Sequence, residues 1–309
     1  MPAARAKPVI DDNATSSIPY STNRADFNEA FGVRQVDWLK SGHRKSLNQR
    51  LYRRMAISIY RSVLITGGSS GIGLAVAKEL AAPGVFMTIT GRDSERLALV
   101  SDELSDMGAS VEFAQCDATD SAAMEKLIID ADTRAPLDLV IANAGISGGG
   151  MPSQSNHEKA RNIMQTNVIG VMNTVQPAID IMTARKAGRI AIVSSLAGFR
   201  GLPTAPAYSA SKVAVKAWGD AIRPGLRENG VGLSMIYPGF VKSRITDQND
   251  FPMPFFMPAE QAAKIIVSGL IKGKDSIAFP WPTVLMMKVL SALPAPIFDR
   301  IMAKGPKKI

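Results

Sequence analysis

The sequence predicts an α/β fold: a doubly wound parallel sheet of about seven strands, in one domain with an extension at each end. Three observations predict it. Short β-rich runs alternate with helical stretches from Arg61 to about Phe279. The strand candidates are mostly unbroken apolar runs, among them Val63-Leu64-Ile65, Leu139-Val140-Ile141 and Ile190-Ala191-Ile192-Val193, as strands buried on both faces require. The first strand also runs straight into a glycine-rich turn and an amphipathic helix, the start of a strand–helix–strand unit. A chain of 309 residues has room for two domains of about 150, but α/β units often reach about 250 as one. The expected division is 1–54 as an N-terminal extension, 55–280 as the sheet domain and 281–309 as a C-terminal extension.

Taken in order, the expected strands are Ser62–Thr66, Val85–Thr90, Ser110–Gln115, Leu137–Ala142, Arg189–Ser194, Gly232–Tyr237 and Ser276–Phe279. Helical patterns lie between them: Ile72–Ala82, Ser94–Met107, Ser121–Thr133, Asn156–Met182, Ser209–Glu228 and Pro258–Ile271. Pro224 lies inside the fifth pattern and is expected to kink its end. No fixed-period repeat is evident.

Apolar residues make up 46% and charged residues 20%, a composition that builds a core and argues against a disordered chain. One cysteine, Cys116, excludes an internal disulfide framework and fits a reducing compartment such as the cytoplasm. It reads most simply as a small buried hydrophobe. Two histidines, His43 and His157, leave no His/Cys cluster for zinc, and no metal is expected. The net charge of +9 raises nucleic acid or an anionic membrane as a partner. Ten basic against five acidic residues put +5 on 1–54, which leaves +4 on the other 255. No patch there interleaves aromatics with Lys and Arg, so no nucleic-acid platform is expected.

Residues 1–30 lack periodicity and read as disordered, without the apolar core of a signal peptide. Val36 to Tyr60 is basic and partly amphipathic through Trp38, Leu39, Leu47, Leu51 and Tyr52. It reads as a helical arm, as a contact for an anionic surface, or as sequence upstream of a natural start at Met55.

The glycine turn is Thr66-Gly67-Gly68-Ser69-Ser70-Gly71-Ile72-Gly73. Glycines let a backbone turn tightly and approach a ligand closely, and a helix N-terminus offers free N–H groups to a pyrophosphate. A glycine cluster alone is weak, since many strand-to-helix turns carry glycine for steric reasons. Its place after the first strand raises it. The spacing T-G-x-x-x-G-x-G resembles the short-chain dehydrogenase/reductase family, and four further motifs between Ser62 and Phe279 extend the resemblance in order. It implies a Rossmann-like fold and a nicotinamide dinucleotide cradled by Gly67, Ser69, Ser70, Gly71, Ile72 and Gly73.

The second strand ends Ile89-Thr90-Gly91-Arg92-Asp93. A carboxylate at the strand tip would take the adenosine 2′-OH and repel a 2′-phosphate; here the tip is Thr90, and Arg92 beyond it favours NADP(H) over NAD(H). An ordinary surface arginine is the plain alternative, and Asp93 is near enough to blur the choice. By resemblance Asp117 and Ala118 contact the adenine, although Asp117 could simply cap the helix starting near Asp120. Asn143, Ala144 and Gly145 match the family's N-A-G motif. Small residues there let the ribose lie on the backbone, and Asn143 ties neighbouring strands together. Pro238, Gly239 and Val241, with Ser243 where the family often has threonine, match the P-G motif beside the nicotinamide.

The strongest signal is Tyr208-Ser-Ala-Ser-Lys212 with Ser195 thirteen residues upstream. Residues i and i+4 share a helix face, so phenol and ammonium point the same way. A free phenol titrates near 10, and a nearby cation is expected to lower that. Ser195 falls at the end of the fifth strand, where ligands of such sheets bind, and its spacing to Tyr208 favours it over Ser194. The resemblance implies Tyr208 as general acid/base, Ser195 as hydrogen-bond partner of the substrate oxygen, Lys212 as tuner of the phenol and holder of the ribose, and Asn167 as support of a water-linked proton relay.

Between the P-G motif and Pro258, prolines, Phe and Met are expected to form an apolar substrate wall or to pack on the body. The segment from Phe279 on holds about a dozen mostly apolar residues between Pro282 and Pro294, roughly 18 Å of helix and too short for a core about 30 Å thick. It reads as an oligomer contact, a pocket cap or a surface-lying membrane anchor. The expected function is NADP(H)-dependent hydride transfer with a small-molecule carbonyl/alcohol pair, apolar or amphipathic, by a homo-oligomer. The alternatives are a non-catalytic nucleotide-binding regulator and a membrane-peripheral reductase of lipid or lipid-linked polysaccharide synthesis.

Overall fold

The computed structural model describes residues 59–147, 155–248 and 253–303. The readings of 1–58, including the disordered segment, the basic arm and the start at Met55, lie outside the described residues. Seven parallel strands form one sheet: β1 Ser62–Thr66, β2 Phe86–Gly91, β3 Ser110–Gln115, β4 Leu139–Ala142, β5 Arg189–Val193, β6 Gly232–Pro238 and β7 Ser276–Phe279. Their order is β3-β2-β1-β4-β5-β6-β7. The helices are α1 Gly71–Leu80, α2 Ser94–Asp106, α3 Ser121–Arg134, α4 Asn156–Met164, α5 Gly170–Arg185, α6 Pro206–Glu228, α7 Ala259–Ile271, α8 Trp281–Ala292 and α9 Ala295–Met302.

The unbroken apolar strands explain the layering. Along β1, Val63 and Ile65 enter one core with α1, α2 and α7, while Leu64 between them enters the other with α3, α5 and α6. Successive side chains alternate faces, so a strand covered on both sides must be apolar throughout. The edge strand β3 is the exception: Phe113 is exposed, because no further strand lies beyond it. Cys116, just past β3, belongs to the second core.

The chain winds outward from β1 to β3, then returns to β4 on the opposite side of β1. The crevice beyond the carboxyl ends of β1 and β4 is the topological switch point, where sheets of this kind bind ligands. Asp138 sets the pairing at the other end: its carboxylate accepts from the backbone N–H of Arg61 at 2.8 Å and of Ser62 at 3.0 Å.

Two expectations change. The helical stretch Asn156–Met182 is not one α-helix: a π-helical turn, Gln165–Ile169, separates α4 from α5. The C-terminal extension forms two helices, α8 and α9, where one was expected. Pro282 sits in the first turn of α8, where a missing N–H costs nothing, and Pro294 precedes α9. Pro224 stays within a continuous α6. No helix of the described residues is long and apolar enough to cross a membrane.

Candidate active site

The glycine turn lies at the carboxyl end of β1. Gly67 has φ +65°, a conformation open to glycine at little cost. A Cβ on Gly73 would lie 2.4 Å from the Gly67 carbonyl and 2.5 Å from Asn143 Nδ2, so only hydrogen fits where helix and turn meet. The N-cap of α1, Ser70, makes no side-chain capping bond. The first N–H groups of α1 therefore remain open to an anion. Ser69 is buried and faces β2: its Oγ lies 3.2 Å from where a Cβ on Gly91 would be.

Thr66 ties this turn to β4, a role the sequence reading missed. Its Oγ1 accepts from the N–H of Asn143 at 3.1 Å and of Ala144 at 3.2 Å. Asn143 Nδ2 donates back to the carbonyls of Thr66 at 3.0 Å and Gly67 at 3.1 Å. Asn143 thus holds the two strand ends together across the switch point.

Asp93 faces its own helix. It is the N-cap of α2, accepts from the Arg96 N–H at 3.0 Å and pairs with the Arg96 guanidinium. Arg92 is exposed and has no ion pair among the described residues. Asp117 is exposed and accepts from the N–H and hydroxyl of Thr119, both at 2.9 Å. The cap of α3 is Asp120 instead. Ala118 is buried, and a Cβ on Gly170 would lie 3.1 Å from its own Cβ.

On the other side of the crevice, Tyr208 and Lys212 lie on one face of α6. Lys212 is 4% exposed. Its Nζ donates to the Val193 carbonyl at 2.9 Å and lies 5.6 Å from the Tyr208 ring centroid. Burial penalises the ammonium and brings Lys212 down to about 8. Burial also raises the Tyr208 phenol above its usual value, with a Ser195 hydrogen bond opposing the rise. Tyr208 itself is half-buried, and desolvation and the Ser195 hydroxyl act on its phenol in opposite directions.

Ser195 is half-buried and its Oγ accepts from the Ala197 N–H at 3.1 Å. Its contact with the Pro238 carbonyl is long, 3.5 Å, which leaves its proton free to turn toward the phenol. Ser194 is different: its hydroxyl is buried and donates to the Lys212 carbonyl at 2.9 Å. The two neighbouring serines thus divide between the crevice and the core.

Asn167 is fully buried in the π turn. Its Oδ1 accepts from the Ile146 N–H at 2.8 Å, and its Nδ2 donates to the Ile146 carbonyl at 2.8 Å and to Ser211 Oγ at 3.0 Å. Ser211 in turn donates to the Tyr208 carbonyl at 2.7 Å. A Cβ on Gly145 would lie 3.1 Å from Asn167 Oδ1 and 3.5 Å from Lys212 Nζ. Gly145 therefore keeps Asn167 and Lys212 close on either side of a bare backbone. Ser211 had no signal of its own beyond lying between Tyr208 and Lys212.

Beyond β6, the Gly239 N–H donates to the Phe279 carbonyl at 2.8 Å. Val241 is buried and bridges to Met257. The Ser243 N–H donates to Thr246 Oγ1 at 2.8 Å, and a Cβ on Gly71 would lie 3.0 Å from Ser243 Cβ. The P-G segment thus reaches the glycine turn. Met257 packs on the body, whereas Phe255 and Phe256 are exposed.

One open cavity, about 590 Å³, lies away from this crevice. It is lined by Ala210, Val213 and Ala214 of α6 and by Phe298 of α9, a side of α6 turned away from Tyr208 and Lys212 by the helical period.

A parallel sheet wound about a glycine turn, with phenol, hydroxyl and ammonium at its carboxyl edge, defines a nucleotide-binding α/β class with acid/base groups at the switch point. Comparison with known proteins makes the assignment specific. The short chain dehydrogenase family model matches residues 61–251, and the chain belongs to that family. An uncharacterized oxidoreductase of Myxococcus xanthus is 40% identical over 246 residues, 79% of this chain and 97% of that protein. Two solved structures share the fold. A short-chain dehydrogenase/reductase from Burkholderia phymatum in complex with NAD has a TM-score of 0.67 at 24% identity, over 81% of this chain and 97% of that one. A short-chain dehydrogenase from Sphingobium yanoikuyae in complex with NADPH has a TM-score of 0.65 at 23% identity, over 80% and 97%.

Proposed function

We propose that the chain is an NADP(H)-dependent oxidoreductase acting on the carbonyl/alcohol pair of an apolar or amphipathic small molecule. The observation that carries this is the group at the edge of β5. Tyr208 is half-buried with the Ser195 hydroxyl as its hydrogen-bond partner, and the buried Lys212 Nζ lies 5.6 Å from its ring centroid.

The residues present fit a dinucleotide. Gly67 and Gly73 leave space that a Cβ would fill, the α1 N-terminus has no side-chain cap, and Gly145 is bare beside Lys212. The turn Gly67, Ser69, Ser70, Gly71, Ile72 and Gly73 would hold the pyrophosphate, and Asp117 and Ala118 would flank the adenine. Asn143, Ala144 and Gly145 would line the ribose, and Pro238, Gly239, Val241 and Ser243 the nicotinamide end. When bound, the nicotinamide supplies or accepts the hydride. Arg92 supports the 2′-phosphate form: it is exposed and makes no ion pair among the described residues, while the adjacent Asp93 pairs with Arg96.

The chain's own part is proton transfer and orientation. In the reducing direction Tyr208 gives its proton to the substrate oxygen, and Ser195 hydrogen-bonds the same oxygen. Lys212 offers its remaining donors to a ribose hydroxyl. Asn167 fixes the Ile146 segment and, through Ser211, the start of α6. The exposed Met164, Ile169 and Val213 support self-assembly, and the lone Cys116 supports a reducing compartment such as the cytoplasm.

The test is NADPH oxidation by the purified chain over a panel of ketones that includes long-chain and polycyclic members, with NADH in parallel. The reading expects turnover with at least one apolar ketone and a preference for NADPH. No turnover with any member would overturn the activity, and a clear NADH preference would overturn the role of Arg92.

A further inference from the structure

The stretch 196–207 joins Ser195 to Tyr208, and its shape decides where the two hydroxyls stand relative to each other. Its first half is tied to Ser195. The short turn Leu196–Gly198 follows that residue, with the Gly198 N–H donating to the Ser195 carbonyl at 2.9 Å and the Phe199 N–H to the Leu196 carbonyl at 3.1 Å. Its second half is tied to α6. The Leu202 N–H donates to Ser209 Oγ at 3.2 Å, and the Ala205 N–H to the Leu202 carbonyl at 3.0 Å. The turn also presses on the helix: a Cβ on Gly198 would lie 2.8 Å from the Lys212 carbonyl oxygen. Play in this connection therefore reaches Ser195, Tyr208 and Lys212 together.

Between the two tied halves stands Arg200, which is half-buried. Its side chain reaches the far end of the sequence. One nitrogen, Nη1, donates to the carbonyls of Ser291 at 3.2 Å and Leu293 at 2.7 Å, and the guanidinium carbon lies 4.2 Å from the Phe298 ring centroid. Both acceptors lie at the carboxyl end of α8, where the last carbonyls lack helical partners and the dipole favours a cation. The ring belongs to α9 and is buried, and a cation over a ring face adds to the grip. Arginine thus holds the corner between α8 and α9 by backbone carbonyls and one core ring, without the exposed side chains of α8. The corner is itself fixed. Met287 of α8 enters the same core as Leu196, with Phe199 and Leu202 packed against it.

We propose that Arg200 is a positioning residue for proton transfer: it clamps the connection between Ser195 and Tyr208 to the α8–α9 corner and so holds the serine hydroxyl within reach of the phenol. Its bonds go to α8 and α9, so it acts through the connection and not on the reacting atoms. The role rests on the oxidoreductase reading above.

The experiment compares the full chain with Arg200→Met, which keeps the length and removes the donors, and Arg200→Lys. Because a single nitrogen makes both bonds, the lysine ammonium can remake them. Each protein is measured for NADPH affinity by fluorescence, for kcat with the best ketone of the panel, and for hydrogen–deuterium exchange of peptides covering 196–207. Arg200→Met is expected to lower kcat by at least about tenfold while NADPH affinity stays within about twofold, since the glycine turn is untouched. Exchange at Ala197 and Leu202 should quicken. Arg200→Lys should recover most of both losses. Phe298→Leu, which removes only the ring, should lower kcat in the same direction and add little to Arg200→Met, because both act through one clamp. Wild-type kcat in Arg200→Met, or Arg200→Lys as slow as Arg200→Met, would overturn the role. Equal losses of kcat and NADPH affinity would also overturn it, giving Arg200 to the fold as a whole. A wild type that turns over no ketone would remove the oxidoreductase reading and this role with it, so the wild-type assay alone tells the two failures apart.

Discussion

The crevice beside β5 and the pair of C-terminal helices both invert the usual placement of side chains, in opposite ways. At the crevice, polar groups are buried: Lys212, Asn167, Ser194 and Ser211 lie inside. Along α8 and α9, apolar groups are exposed: Trp281, Leu285, Met286 and Val289 lie outside. The difference is in their partners. Lys212 has Val193, Asn167 has Ile146 and Ser211, and Ser194 has Lys212. A buried polar group with its hydrogen bonds made is a finished structure. The exposed stripe finds no such partner among the described residues. One region has its polar partners within the chain, and the other leaves its apolar side chains exposed among the described residues.

The largest effect should come from breaking the crevice at its charge. Lys212→Met is expected to lower turnover by about 10²–10⁴-fold, the usual range for a group serving general acid–base catalysis. It should also change the pH dependence of stability, with a sign that can be worked out. Burial lowers Lys212 to about 8 in the fold, while an unfolded lysine titrates near 10.4. Between these values the unfolded chain binds more protons, so wild-type stability gains from this group as pH rises from about 8 to about 10. Denaturation midpoints over that range should rise for the wild type relative to Lys212→Met. An equal slope in both proteins would show that Lys212 is not titrating as a buried amine.

Gly145→Val sharpens the same region sterically. Its Cβ would sit 3.1 Å from Asn167 Oδ1 and 3.5 Å from Lys212 Nζ, and the two methyl groups beyond it must displace one of them. A misplacement of about 1 Å near reacting groups costs about 10²-fold, so kcat should fall by that order with the fold intact by circular dichroism. Retained kcat would mean that Gly145 has room the geometry denies it. Arg92→Ala moves to the adenosine side. It should weaken NADPH by about tenfold, the lower range for a charge-assisted bond at an exposed site, and leave NADH affinity unchanged. Equal losses for both would remove the 2′-phosphate from its role. The smallest effect belongs to the other region: Leu285→Glu alone should change turnover of a water-soluble ketone by less than about twofold, since exposed substitutions usually stay within about 0.5 kcal/mol. A large drop would tie α8 to the chemistry itself.

The parts legible in the sequence were those written locally. Unbroken apolar runs such as Ile190 to Val193 named buried parallel strands, because each strand's burial is recorded in its own residues. The spacing of Tyr208 and Lys212 named a shared helix face, because a helix fixes that relation within one turn. What was not legible depends on residues far apart in the chain. The π turn at Gln165–Ile169 leaves no mark in the apolar period, and it became visible only through Asn167, whose partners lie 21 and 44 residues away. The partner of Lys212 was hidden for a related reason: spacing set the lysine on the right face but said nothing of Val193, whose carbonyl accepts its hydrogen bond. That Asp93 caps its own helix and pairs with Arg96 was likewise not written in the strand-tip motif. The second helix, α9, was hidden because Phe298 and Arg200 are almost a hundred residues apart in sequence and meet only in the fold.

The most direct test of the central claim is a Tyr208→Phe chain assayed for NADPH binding by fluorescence and, in the same preparation, for turnover of the best ketone. The account predicts that the cofactor binds as in the wild type, because the glycine turn and the α1 N-terminus are untouched, while turnover falls by at least about 10²-fold for want of the phenolic proton. Turnover within a factor of a few of the wild type, with NADPH bound, would contradict it.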